Sequence, residues 1–313
     1  MDRQARFIGP VERLLYLRSM GSLEDMPAEE AADLAQRVRE RSFRSGSLLL
    51  REGEVVTGAF FLVEGVVALR RGGRTYRVIR APGTVGILAT LSASPRGVEA
   101  RAEADCLTLE LAGDEFVDSL EDNFRLLSRM IAQFSGQIAA LQRKLEALGL
   151  SIREEPKITP YPERELDLVQ RLVWMRRGGP FRSVSLDAMA EIARRLIEVR
   201  CEPGDVLWKQ GERSEFGVQI LHGIVRCTDD SAQRSFRMGG GSVLGMLEAY
   251  AHLARGYDAV AETRLVALRA DVEALLDVFE DNFEVGLAFV SFLAGVLDNL
   301  YERAAELGVA LET

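Results

Sequence analysis

The chain repeats itself in register, and that constrains its fold more than any other feature. GILATLSASPRG at residues 86–97 and GMLEAYAHLARG at 245–256 share their length, their ends and a Leu at the third place. Gly46/Gly204, Gly53/Gly211 and Gly65/Gly223 lie 158 residues apart. Gly86/Gly245, Gly97/Gly256, Gly136/Gly295 and Gly149/Gly308 lie 159 apart, and EDNF occurs at 121–124 and 280–283. One inserted residue between Gly65 and Gly86 accounts for the step. Chance does not hold such a register over on the order of 100 residues, so the chain is a duplication. Its 313 residues suit two domains of about 150 each. The copies are expected over 10–150 and 165–313. SIREEPKITPYPERE between them is charged and holds three prolines, the composition of a linker.

Each copy reads in three stages. A helical lead comes first: VERLLYLRSM and PAEEAADLAQRVRER, then DLVQRLVWMRR and SLDAMAEIARRLIEV in the second copy. Pro27 before acidic residues, and Ser185 ahead of Asp187, mark helix starts. A middle stretch, about Ser45 to Leu111 in the first copy, is rich in β-branched residues and punctuated by glycine. AFFLVEGVVALRR within it predicts a half-buried hairpin. A long helix closes each copy. Leu127, Ile131, Phe134, Ile138, Leu141, Leu145 and Leu148 alternate steps of four and three. Val290, Leu293, Leu297, Leu300, Ala304 and Leu307 repeat the pattern. This is a heptad seam. Leu148-Gly149-Leu150 and Leu307-Gly308-Val309 predict glycine C-caps. The seam either packs on its own copy or pairs helix with helix. Pairing would make an intramolecular pseudo-dimer, favoured over a homodimer because the linker tethers the copies.

Composition narrows the function. With 39 Lys and Arg against 48 Asp and Glu the net charge is −9, which argues against a nucleic-acid footprint. No apolar run reaches the ~18 residues of a membrane span, and MDRQARFIGPVE has no signal core. A cytoplasmic protein is expected. Cys106, Cys201 and Cys227 are odd in number and far apart, so they read as free thiols. Two histidines, His222 and His252, do not make a metal site, and no cofactor is expected. His222 reads as a surface strand residue; His252 lies inside the repeated twelve-residue segment, placed to line a pocket. There is no Ser-His-Asp order, no Cys-His pairing and no P-loop, so no catalytic residue is assigned and an enzyme is not expected. RQARFI near the start carries two arginines and is a weak match to an inhibitory kinase-substrate segment.

The helical lead, the glycine-punctuated β stretch, the G-x-L…R-G segment and the closing helix together resemble the cyclic-nucleotide-binding domain. LLLREGEVVTGAFFLVEGVV and DVLWKQGERSEFGVQILHGIV fit the same family. The resemblance covers nearly the whole chain. It implies an α+β fold: two tandem β jelly-roll domains flanked by helices, each ending in the long heptad-patterned helix. It also implies a ligand site at Gly86, Ile87, Leu88, Arg96 and Gly97, and at Gly245, Met246, Leu247, Arg255 and Gly256. In the family, backbone N–H groups at a short helix start receive a cyclic phosphate and an arginine caps it. A glutamate directly after the first glycine binds the ribose 2′-hydroxyl.

Arg96 and Arg255 match the family arginine, each nine places after that glutamate position, and Pro95 precedes Arg96. The glutamate position itself holds Ile87 and Met246. Neither accepts a hydrogen bond, and a hydroxyl buried without its partner costs about 1–3 kcal/mol. Glu99 and Asp258 follow three residues after the arginines, where a carboxylate repels a phosphate. They offer the arginines an alternative: Arg96 paired with Glu99, and Arg255 with Asp258, closing the pocket. Glu248 is a further substitute for the missing carboxylate, although helical spacing turns it elsewhere.

The resemblance thus leads to two functions. One is a stand-alone regulatory protein that senses a small anionic ligand such as cAMP or cGMP and signals to a separate protein partner. No winged helix, kinase or channel segment follows the second copy before Thr313, which is why the partner is expected to be a separate molecule. The other is a degenerate scaffold that uses the duplicated fold for protein–protein interaction.

Overall fold

A computed structural model describes residues 8–20, 27–56, 58–92, 97–150, 155–157, 159–176, 179–182, 184–230 and 232–309. The first copy runs α1 (Pro10–Arg18), α2 (Ala28–Arg37), β1 (Arg39–Phe43), β2 (Leu48–Glu52), β3 (Gly58–Glu64), β4 (Val66–Arg71), β5 (Arg74–Arg80), β6 (Gly83–Val85), α3 (Ile87–Ser92), β7 (Gly97–Ala102), β8 (Cys106–Ala112), α4 (Gly113–Asp122) and α5 (Phe124–Ala147). The second repeats the order. It runs α6 (Leu168–Arg176), α7 (Leu186–Arg195), β9 (Ile197–Cys201), β10 (Val206–Trp208), β11 (Phe216–His222), β12 (Val225–Asp229), β13 (Arg234–Met238), β14 (Val243–Leu244), α8 (Met246–Tyr250), β15 (Asp258–Ala261), β16 (Leu265–Asp271), α9 (Val272–Asp281) and α10 (Phe283–Glu306).

Each copy folds two antiparallel four-stranded sheets into a roll. Their orders are β1-β8-β3-β6 and β2-β7-β4-β5, then β9-β16-β11-β14 and β10-β15-β12-β13. The topology is identical in both copies. Register also matches: Leu69 lies opposite Ala100 and Arg77, as Cys227 lies opposite Ala259 and Phe236. The core of the second roll, including Ile220, Val225, Cys227, Ala259 and Ala261, comes from the inward positions of both sheets.

The lead helices are fixed by an arginine that no sequence motif marks. Arg13 donates from Nε to the Ile8 carbonyl at 2.9 Å and from Nη1 to the Val38 carbonyl at 3.0 Å. Arg171 repeats this toward Leu166 at 3.1 Å and Leu196 at 2.6 Å. The helix starts lie where expected, after Pro27 and at Ser185, whose side chain accepts from Ala188 N. The glycine caps are present too. Gly149 and Gly308 both sit at φ 75°, and Leu150 N and Val309 N reach back to Leu145 and Ala304 at 3.1 and 2.9 Å.

The heptad seams are buried from Leu127 to Leu145 and, apart from half-buried Leu300, from Val290 to Ala304. Their last members, Leu148 and Leu307, are exposed. The compact units cut across the repeats. One comprises Met1–Met130 with Val290–Thr313, the other Ile131–Phe289. The C-terminal portion of each long helix therefore belongs to the unit that holds the other copy's roll. By length and composition α10 is apolar enough to cross a membrane, with a mean hydropathy of 1.5 over its best window. That corrects the expectation that no such stretch exists. The same helix carries Asp298, buried and bonded by Arg71 Nη2 at 2.7 Å and the Tyr76 hydroxyl at 3.1 Å.

Among the repeated glycines, Gly65 and Gly223 are required by both dihedral and space. They sit at φ 107° and 95°. A Cβ on Gly65 falls 2.6 Å from the Asp105 carbonyl oxygen, and one on Gly223 runs into the Arg264 carbonyl oxygen. Backbone strain of this kind costs about 1–3 kcal/mol before any clash. Gly65→Ala and Gly223→Ala are each expected to destabilise by roughly 3 kcal/mol or more. Gly149→Ala has the same positive φ and open space around it, so it is expected to cost about 1–2 kcal/mol. Thermal melts of the three variants check this ordering. Equal melting temperatures would contradict the close approach of strand to glycine.

Candidate functional site

In the second copy, Gly245 at φ 71° lets the chain turn from β14 into α8. Ala249 N closes the first turn on the Gly245 carbonyl at 3.2 Å. The Gly-acid turn repeated in the sequence proves to be the support of Arg255. Gly211 N donates to the Arg255 carbonyl at 2.9 Å, and Arg255 N donates to the Glu212 carbonyl at 2.8 Å. The backbone of the arginine is thereby fixed, and its side chain points inward at 2% exposure.

The guanidinium is held by neutral groups of its own domain. Nη1 donates to the Gly245 carbonyl at 3.0 Å and Nη2 to the Phe216 carbonyl at 2.6 Å. Its Cζ lies 4.1 Å from the ring centroid of Trp208 and 4.7 Å from that of Phe216. Each cation–π contact contributes about 1–2 kcal/mol when desolvated. Nε is buried without a partner. Burial pushes the guanidinium pKa below its ordinary value, because neutral carbonyls and rings offset only some of the lost hydration. The expected pairing with Asp258 is not formed. Asp258 accepts instead from the backbone N of Gln210 at 2.6 Å. Its carboxylate is held by the turn that follows β10 before it reaches the arginine.

Aromatic rings complete the filling. Trp208 packs edge-on to Phe216 at 5.8 Å and tilted against Tyr257 at 6.0 Å, and Phe236 meets Tyr257 at 5.2 Å. What remains is a cavity of about 40 Å³ lined by Glu248, Gly256, Tyr257, Phe236, Asp229 and Arg234 from the roll and by α5. Ligand pockets ordinarily run from about 300 to 1,000 Å³. Met246 and Leu247 are half-buried at the start of α8, and Glu248 lines the cavity. His252 is exposed at φ 52°, so it turns away from the pocket it was expected to line. His222 is half-buried, with its ring against Tyr161 at 5.0 Å and its Nδ1 on the Thr159 carbonyl.

The first copy is built on the same backbone with different contents. Gly86, at φ 92°, starts α3, and the Thr90 hydroxyl donates to the Gly58 carbonyl at 3.0 Å. Ile87 and Leu88 are half-buried and Gly97 is buried against the Gly53–Glu54 turn. Pro95 and Arg96 lie outside the described residues, as does the RQARFI stretch up to Phe7. Glu99 has other partners, Arg101 at 3.0 Å and Arg70 at 3.9 Å. The four aromatic residues of the second copy correspond by strand register to Leu50, Gly58, Arg77 and Val98. None of these is a ring.

No sequence motif marks the filling residues. Trp208 and Phe216 lie far upstream of Arg255 and read there as ordinary strand residues. The available signal was the comparison of the copies, where the two rings align with Leu50 and Gly58. Among the described residues no cluster of His, Cys, Asp or Glu is arranged to hold a metal, and Cys106, Cys201 and Cys227 form no disulfide.

The profile of the cyclic nucleotide-binding domain matches residues 40–123 and 198–282. Solved structures are similar at low identity. The regulatory domain of Toxoplasma gondii protein kinase A with cAMP is 15% identical, with 95% of this chain and 97% of that one covered and a TM-score of 0.34. The regulatory subunit of a cAMP-independent protein kinase A from Trypanosoma brucei is 17% identical, covering 98% and 91% at 0.32. Its counterpart from Trypanosoma cruzi, bound to guanosine, is 14% identical, covering 100% and 97% at 0.33. No curated protein gives a sequence match. With both rolls matched, the chain belongs to the cyclic nucleotide-binding domain family and carries the domain twice.

Proposed function

We propose that the chain is a regulatory module, not an enzyme, with domains over 10–150 and 165–313 that have divided their labour. The second domain is held shut by its own side chains. The first is the port for a small anionic ligand of the cyclic-nucleotide type, received at Gly86, Ile87, Leu88, Arg96 and Gly97. Binding there shifts the populations of the closing helix and changes the surface offered to a separate protein partner. Three cysteines without a disulfide suit a cytoplasmic setting.

One observation carries this division: Arg255 is clamped between Trp208 and Phe216, where the first copy has Leu50 and Gly58. A phosphate at the second site would have to pull the guanidinium off a pair of carbonyls and prise the rings away from it. Gly245, Met246, Leu247, Arg255 and Gly256 are therefore structural in this reading. The alternative, a scaffold with both sites closed, draws on Ile87. Without a carboxylate there, the ribose hydroxyl goes unpartnered at about 1–3 kcal/mol, one to two powers of ten in affinity. That loss weakens the first site without removing its phosphate contacts.

Calorimetric titration of cAMP and cGMP into the wild type, Arg96→Ala and Arg255→Ala tests the division. The expected result is one weak site per chain, lost in Arg96→Ala and kept in Arg255→Ala. Two sites, or loss in Arg255→Ala alone, would overturn it. Silence in all three proteins selects the scaffold.

Stability of the ligand-free protein gives a second check. Arg255→Ala leaves two carbonyls unpaired and a void between rings, so it is expected to destabilise by roughly 2–4 kcal/mol. An arginine waiting in solvent for a phosphate would leave the melting temperature unchanged.

A further inference from the structure

A duplicated chain has two rolls and two long helices of the same apolar pattern, and each helix has two rolls on which it can dock. The charged residues at these contacts are not duplicated; they are inverted. In the first unit Arg71, at the end of β4, donates Nη2 to Asp298 at 2.7 Å and Nη1 to Glu302 at 2.7 Å. Its Nη2 also reaches the Gly97 carbonyl at 3.2 Å. Tyr76 bonds Asp298, and Arg77 lies 4.3 Å over the ring of Tyr301. The Arg71 and Asp298 side chains are 8% and 9% exposed. Burial alone would lower the Arg71 pKa, but the hydrogen bond and charge of Asp298, with the hydrogen bond of Glu302, hold it above its ordinary value.

At the matching contact in the second unit the positions equivalent to Arg71 and Glu302 carry the opposite signs, although Arg143 Nε donates to the Ala139 carbonyl of its own helix at 3.3 Å and the ion pair that crosses the contact is Arg234 to Glu146. The end of β12, equivalent to Arg71, is Asp229, and the equivalent of Arg77 is Phe236. At the 159-residue offset, Asp298, Tyr301 and Glu302 become Ala139, Gln142 and Arg143. Arg143 and Asp229 line the same small cavity. Arg234 adds a bond to Asp229 at 3.2 Å and a longer approach of 3.8 Å to Glu146 on α5.

We propose that this inversion is a pairing code by which each roll accepts the other copy's helix and rejects its own. Were α5 to dock on β4–β5, Arg143 would take the place of Glu302 and Ala139 that of Asp298. Arg71 would be buried beside a second guanidinium with no carboxylate. Were α10 to dock on β12–β13, Asp298 and Glu302 would meet Asp229, with a single guanidinium, Arg234, to serve all three carboxylates. A buried charge left unpaired or facing its like is strongly unfavourable, while the correct pair adds little net stability over apolar packing. Discrimination of this kind comes from penalising the wrong partner. The surface each roll presents is therefore fitted to one partner, the helix of the opposite copy. The code is independent of whether any ligand binds.

The test uses the full chain with a protease site placed in the linker at residues 151–154. After cutting the native protein, the two fragments are expected to co-elute one-to-one on size exclusion with light scattering. Arg71→Asp is expected to lower the melting temperature and to weaken fragment association at least tenfold. Arg71→Asp combined with Asp298→Ala and Glu302→Arg gives positions 71, 298 and 302 the residues found at their equivalents in the second contact. This triple variant is expected to regain association and most of the melting temperature. Wild-type fragments that separate on cutting, or that re-pair like with like, would overturn the proposal. So would a triple variant as weak as Arg71→Asp, which would reduce Arg71 to a residue needed for folding alone.

Discussion

A guanidinium taken out of water must be given acceptors, and the two rolls meet that demand in different ways. Arg71 is given carboxylates by a helix. Arg255 is given carbonyls and rings by its own domain. The first solution ties the roll to a helix, because removing Asp298 or Glu302 strands a buried charge. The second ties β10, β11 and the α8 segment together around one side chain. Much of what is particular to each unit depends on where its arginine found partners.

In the proposed division of labour, Arg255 shows how a ligand-binding fold becomes a constant one. The glycine that starts α8, the nine-residue spacing to the arginine and the Gly-acid turn that fixes its backbone are all kept. These features set main-chain geometry, and the roll needs them with or without a ligand. What changed is the content: Trp208 and Phe216 pack against the guanidinium, and Met246 stands where a carboxylate would meet a ribose. In that reading, once the rings pack on it, the arginine contributes more as a core residue than as an anion receptor. Drift back toward binding is then opposed by stability itself.

Local devices and the fold class were legible in the sequence because their causes are local. The glycine turns, the helix starts at Pro27 and Ser185, the caps at Gly149 and Gly308 and the heptad period follow from dihedral preference and periodicity. The duplication was legible because glycines forced by geometry do not drift. The partners of the arginines were not. Arg255 and Asp258 are near in sequence, and proximity suggested a bond that Gln210 N forestalls. Asp298 and Glu302 fall between the heptad positions, and the apolar period carries no sign that Arg71 meets them. Periodicity shows that a face is apolar and says nothing about what covers it.

The inversion from Arg71 to Asp229 illustrates why duplicated chains diverge where they do. Apolar seams tolerate some exchange: Ile138 against Leu297 is a swap of isomers, which usually costs under about 1.5 kcal/mol in a core when neighbours repack. Seams alike in period discriminate between the rolls only where volume differs, as at Leu145 against Ala304. Charge discriminates too, because a sign error in a buried contact is not relieved by repacking. A chain that must place two similar helices on two similar rolls has further discrimination in the few polar residues at the edge of the seam. Those are the positions where the copies disagree in sign and agree in place.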